Sequence, residues 1–215
     1  MVAVERSTEV IRILERYLIE VVERHELCPW ARQSRERGEL AVAILWGAPA
    51  ADDWVGAAEQ LLAAPATRVA MVVAPELAVA RRAFAALRDE VAARIAPAAV
   101  ADFHPDAALD LTTPARLVPF LRRSPDPLLQ LVPLALIDAV RAAPAPAGLA
   151  QQASMLGGLA ALPRRELTAQ IAAANHATVA AAHAAIAHTL DDIAADRRAA
   201  YARAGISSPP IPCDR

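Results

Sequence analysis

The stretch RVAMVVAPELAVARRAFAALRDEVAARIAPAAVADFHP, residues 68–105, decides the fold. Arg68 to Val73 is a short apolar run, rich in valine, that reads as a strand. Glu76 to Ile95 follows as a long amphipathic helix, and Val100 to Phe103 reads as another strand. Strands separated by helical segments make βαβ units and a mainly parallel sheet. The last strand of the stretch ends on His104-Pro105. In sheets of this kind, sites collect where strands end and loops begin, so His104 stands where a functional residue is expected.

Toward the N-terminus the same pattern continues. Leu40 to Trp46 is an apolar run bounded by Gly38 and Gly47, and reads as a buried strand. Asp52 or Asp53 is the expected cap of a helix running through Leu62. Val10, Ile13, Leu14, Leu18, Val21 and Val22 recur at helical spacing and predict a first helix from about Thr8 to His25. Cys28-Pro29-Trp30 interrupts it, and a short helical turn follows until Gly38.

Toward the C-terminus, residues 106–123 read as irregular, with Pro114 and Pro119. Ser124-Pro125 is expected to open a helix, since Ser is a favoured N-cap and Pro suits the first helical position. That helix is expected to continue from Leu128 to Val140, limited or kinked by Pro133. Ala143-Pro144-Ala145-Pro146-Ala147-Gly148 reads as a linker, and Met155 to Leu162 has no clear pattern. Arg165 to Ala204 is a long Ala-rich helix, open to packing on the sheet or pairing with a second copy. The expectation is one α/β domain over residues 1–205: a small, mainly parallel sheet of three or more strands flanked by helices. Its core spans 8–142, its helical C-terminal part 150–205, and a disordered tail 206–215.

The chain's 215 residues suffice for one domain core. With 56% apolar and 21% charged residues it reads as globular. All basic side chains are Arg, scattered among acids as on a solvated face. A net charge of −2 disfavours nucleic acid as a partner. No long apolar run predicts a membrane span, and charged residues in the first helix argue against a signal peptide. The expected location is the cytoplasm, where Cys28 and Cys213 stay unpaired.

Three short segments carry the candidate chemistry. Cys28 stands before Pro29, at or near the cap of the following turn; the positive end of that turn, with Arg32 close by, would lower the thiol pKa. The bland alternative is a buried cysteine acting as a small hydrophobe. Phe103-His104-Pro105-Asp106 offers a general base or thiolate partner in His104, with Asp106 to orient the ring; a lone His is more often a surface or capping residue. Arg122-Arg123-Ser124-Pro125 would form an anion pocket from a guanidinium, a hydroxyl and the N–H groups of a helix start. Against that stands an ordinary cap with solvated arginines. His176, His183 and His188 lack metal-site spacing, and no phosphate loop, nucleotide fingerprint or Cys-x-x-Cys pair is present, so no cofactor is expected.

In order, Leu27-Cys28-Pro29-Trp30-Ala31, Phe103-His104-Pro105-Asp106 and Arg122-Arg123-Ser124-Pro125-Asp126-Pro127 resemble the signature segments of the bacterial domain-of-unknown-function family 1415. The resemblance covers about residues 8 to 142, and Asn175 is similar to an Asn near the family's C-terminal end. It implies that Cys28, His104, Arg123 and Ser124 belong to one site, and it implies no reaction; Trp30 and Asp106 are expected among the substrate-binding residues with Arg123 and Ser124. The chain departs from the pattern at Leu109-Asp110-Leu111-Thr112, where the family has Gly-Thr. It departs again at Arg122, where the family has Asn, and at Gln130 and Pro133, where it has His and Arg.

The leading expectation is a small enzyme with Cys28 as thiolate nucleophile, His104 as base and Arg123 with Ser124 holding an anionic group. The alternative is a protein that binds a small anion or metabolite without turnover, or an assembly protein pairing through its C-terminal helix. A third is a metal site of Cys28, His104 and Asp106.

Overall fold

The computed structural model describes residues 2–28, 30–142 and 164–212. The linker at 143–148, the stretch 155–162, Pro29 and Cys213 lie outside the described residues. Helix α1 (Val2–Tyr17) continues through a π-helical segment (Leu18–Glu23), followed by α2 (Ala31–Glu36). Then come β1 (Leu40–Ile44), α3 (Ala51–Leu62), β2 (Val69–Val73), α4 (Arg81–Arg94) and β3 (Ala98–Phe103). They are followed by α5 (Pro114–Leu121), β4 (Leu128–Pro133), α6 (Leu134–Ala142) and α7 (Arg164–Ala204).

The sheet is mixed, in the order β1-β2-β4-β3. β1 and β2 are parallel; β4 is antiparallel to both β2 and β3. The three strands expected from the sequence therefore run in one direction, and a fourth is inserted against them. Helix α4 carries the chain past the β4 position to β3, and β4 fills the gap.

β4 corrects the expected helix after Ser124. Leu128, Leu129 and Leu131 are all buried because both faces of this central strand are covered. Such a strand loses its apolar–polar alternation and resembles a helix interior. Ser124 Oγ donates to the Asp126 carbonyl (2.6 Å), closing a turn instead of capping a helix. Pro133 stands at the last paired position, opposite Ala98, and α6 starts only after it. The real cap lies earlier: Thr113 Oγ1 accepts the Arg116 N–H (3.3 Å), and Pro114 opens α5 inside the stretch expected to be irregular. In α3, Asp53 is not the cap; it accepts the Ala50 N–H (2.8 Å) from the third helical position.

Alternation along β2 splits the core in two. Met71 and Val73 face α1, α5 and α7, with Val10, Ile13, Leu117 and Ile186. Ala70 and Val72 face α3 and α4, with Trp54, Phe84, Val91, Leu129 and Leu131. Helix α7 lies along α1, burying Val179, Ile186, Leu190 and Ile193 on one stripe. Each such side chain contributes roughly 1.5–3 kcal/mol by leaving water. The apolar stripe of α7 is thus spent within the chain.

Arg12 holds Asp196 with two hydrogen bonds (2.7 and 2.9 Å), and Arg16 reaches Asp192 and Asp196 at 2.7 Å each. The hydrogen bond from Arg12, then that from Arg16, holds the Asp196 carboxyl well below the usual carboxylate range. A depressed folded-state pKa stabilises the fold above the ordinary aspartate value, about pH 4. The contribution is lost as pH falls below that value. Acid titration of stability should therefore be shallower in Asp196→Asn than in the natural chain below about pH 4; identical slopes would contradict the pairing.

At the carboxyl ends of β1 and β2, the C-terminal part of α7 closes the sheet. Arg197 donates to Asp126 Oδ1 through Nε (2.7 Å) and to the Pro75 carbonyl through Nη2 (2.9 Å). Tyr201 donates to Asp126 Oδ2 (2.6 Å). Burial pushes the Asp126 carboxyl up, while Arg197 and Tyr201 pull against that. The start of the tail is held too, contrary to the expectation of disorder from 206. Ile206 is buried, Ser207 donates its N–H to Glu76 (3.0 Å), and Ser208 Oγ accepts from Arg197 (2.6 Å). Glu76 also receives Arg6 and the Gly47 N–H, so one carboxylate gathers both ends of the chain. Among the described residues, no helix is long and apolar enough to cross a membrane.

Candidate functional site

The two ends of the sheet divide the residues singled out in the sequence. His104 follows β3 directly and is buried against Phe84, with ring centroids 5.9 Å apart. Its Nδ1 accepts the Asp106 backbone N–H (3.1 Å), and its Nε2 lies 2.9 Å from the Val79 carbonyl. An N–H can only donate and a carbonyl only accept, so the pair is met by the neutral ring with its proton on Nε2. Asp106 orients the ring through its backbone, not its carboxylate. The ring bridges a strand end to the loop before α4.

Arg123 donates through Nε to the Pro105 carbonyl (3.2 Å) and lies 3.8 Å from Asp191. Ser124 is buried, with its hydroxyl committed to the Asp126 carbonyl. No helix begins at Ser124, so the anion pocket expected from a helix start there does not form. His104, Asp106, Arg123 and Ser124 are neighbours, joined by backbone hydrogen bonds such as His104 N–H to the Arg122 carbonyl (3.0 Å).

Cys28 stands apart from them. β3 alternation turns Phe103 toward the α1 and α7 side and His104 toward Phe84 on the other. Cys28 packs on the α1 side, so the sheet separates it from His104. The short turn after it does not activate the thiol. Trp30, not Cys28, is the residue before α2. The residue is half-buried against the α1 side of the core. Burial pushes the thiol up, outweighing backbone hydrogen bonds from Trp30 and Ala31 that pull it down. Nearby, burial and the proximity of Cys28 hold the Tyr17 hydroxyl well above its usual range. Alkylation of Cys28 followed against pH should show a midpoint above the roughly 8.5 of a free thiol. A midpoint below that value would contradict the burial account.

What Cys28 does line is a cavity of about 470 Å³. It lies on the α1 side of the sheet, at the starting ends of β1 and β2, opposite the end closed by α7. Local structure explains how it is held open. Glu23, buried where the π-helical segment ends, takes Arg35 through both carboxylate oxygens (2.6 and 2.9 Å), which pins α2 beneath the helix. Asn175 of α7 donates to the Leu27 carbonyl (3.1 Å), which pins the chain beside Cys28. Gly38, at φ +66°, takes a left-handed conformation that turns the chain from α2 into β1.

The wall has two characters. Val69, Val118, Val132, Leu136 and Ile171 supply a half-buried apolar surface. Arg37 and Arg68, both exposed, supply positive charge, and Glu39 sits 3.8 Å from Arg68. Cys28, Trp30, Gln33, Ser34, Gln130 and Asn175 also line the cavity. His104, Asp106, Arg123 and Ser124 do not line the cavity. Sequence reading passed over Arg37 and Arg68. The available signal was their place: each stands within a few residues before a strand, at the end of the sheet opposite to the one searched.

The Cys28–His104–Asp106 metal arrangement is not assembled, because the first of these is across the sheet from the others. Among the described residues, no three of His, Cys, Asp and Glu gather as a metal site. No family model, curated protein or solved structure matches the chain.

Proposed function

We propose that this chain binds a small anionic molecule in the cavity beside Cys28 and does so without turnover. The cavity itself carries the reading. Its 470 Å³ falls within the roughly 300–1,000 Å³ of small-molecule sites, which combine apolar walls with a few placed polar groups. Arg37 and Arg68 favour an anion. The binding reading is preferred to thiolate catalysis for two reasons. Burial disfavours the thiolate, and the His expected to serve as its base has both ring nitrogens occupied by backbone on the other face.

The protein is further proposed to be a divergent member of family 1415, on its three ordered segments, and to work in the cytoplasm, with Cys28 a free thiol. A homodimer through α7 would have to use the face of that helix turned away from α1. Fluorescence titration with anilinonaphthalene sulfonate tests the main reading. It should reveal one saturable site, retained in Cys28→Ser. Absence of a saturable site overturns the reading. Loss of the site in Cys28→Ser would return the thiol to the centre of the chemistry.

A further inference from the structure

We infer that the natural ligand is an amphiphilic monoanion, with an apolar chain or ring system against the sheet and one anionic head at Arg37 and Arg68; this rests on the binding reading above. Three observations converge. The first is charge. Among the described residues, the charged groups on the wall are Arg37, Arg68 and Glu39, and two guanidiniums against one carboxylate leave one positive charge to be met. Glu39 offsets one arginine only loosely, at 3.8 Å from Arg68, beyond ordinary hydrogen-bond length. A dianion would exceed that charge and a cation would oppose it.

The second is the division of the wall. The exposed arginines stand where α2 and the β1 and β2 starts meet solvent. The apolar side chains come from the sheet, α5, α6 and α7. Val69, Val132, Leu136 and Ile171 are only partly buried where they line the cavity, although Ala70 and Leu131, next to the first two in β2 and β4, are fully buried. Apolar surface left in a concavity gains by being covered with apolar matter. The third is size. A phosphate or acetate ion would occupy a small part of 470 Å³ and leave this surface wet. Gln130 and Asn175 also line the cavity and offer amide hydrogen bonds to the ligand. Asn175 already spends one donor on the Leu27 carbonyl.

The assignment therefore separates two roles. Arg37 and Arg68 recognise the head, and Val132 and Leu136 recognise the body. Both arginines are exposed, so Arg37→Gln with Arg68→Gln leaves the fold intact.

Calorimetric titration with a matched set of probes decides the matter: octanoate, octanol, octyltrimethylammonium, acetate and inorganic phosphate. Octanoate should bind one to one and tightest of the five. The double Gln variant should weaken octanoate by roughly ten- to a hundredfold, the scale of charge-assisted hydrogen bonds lost, and leave octanol unchanged. If octanol binds as tightly as octanoate, or the double variant leaves octanoate unchanged, the head-group assignment is overturned and the cavity reading stands. If acetate or phosphate binds as tightly as octanoate, the apolar body is overturned and anion binding stands. If none of the five binds and anilinonaphthalene sulfonate finds no site, both readings fall together.

Discussion

A chain carrying Arg197→Met will lose about 3–5 kcal/mol of folding stability, the usual cost of removing one partner from a buried ion pair. Asp126 is 3% exposed, and Arg197 supplies its Nε and Nη2 contacts at 2.7 and 2.6 Å. Without the guanidinium, the carboxylate keeps only the Tyr201 hydroxyl. The Pro75 carbonyl and Ser208 hydroxyl lose their donor in the same step. The methylenes of Met fill part of the space but return no hydrogen bond. Denaturant unfolding measures the loss, and adding Asp126→Leu should recover much of it, because an apolar pair avoids the unpaired charge. A loss under about 1 kcal/mol would be that of a surface pair and would contradict the buried setting. Ligand binding at the far end of the sheet should survive in the fraction that remains folded.

His104→Ala is expected to cost about 2–4 kcal/mol, combining a void with two backbone groups left unpaired. The ring is 2% exposed, and it links the Val79 carbonyl to the Asp106 N–H across two loops. His104→Gln should recover part of the loss, since an amide offers both a donor and an acceptor. Anilinonaphthalene sulfonate should still fill one site in either variant under native conditions. The opposite pattern, unchanged stability with binding abolished, would move the functional site back to the end of β3.

The parts of the fold legible in the sequence were those with a local signature. β1, β2 and β3 are short apolar runs between glycines, prolines and helices, and α1 and α4 repeat at helical spacing. β4 was hidden because its character comes from its position. Leu128, Leu129 and Leu131 are apolar on both faces, and the pattern that distinguishes a strand is absent. Ser124-Pro125 imitates the cap that Thr113-Pro114 actually forms. No local rule separates the two pairs; the separation comes from the gap between β2 and β3.

The site was legible in part for a related reason. Cys28 and Trp30 drew attention by breaking a helix, and both line the cavity. The rule that sites lie beyond strand ends pointed to His104. In this chain that end is filled by Arg197, Tyr201 and the tail, ordered around Asp126 and Glu76. The concavity is left at the other end, between β1, β2 and the first half of α7. Arg37 and Arg68 look like any solvated arginine until the sheet brings them to one rim.

The most direct test follows alkylation of Cys28 by a maleimide in a Cys213→Ser background, with and without saturating octanoate. Cys28 is then the one thiol in the chain. A ligand seated in the cavity covers the wall that Cys28 helps to form, so the reaction should slow several-fold and recover when octanoate is removed. An unchanged rate at an octanoate concentration that saturates binding would place the ligand elsewhere and contradict the cavity as the functional site.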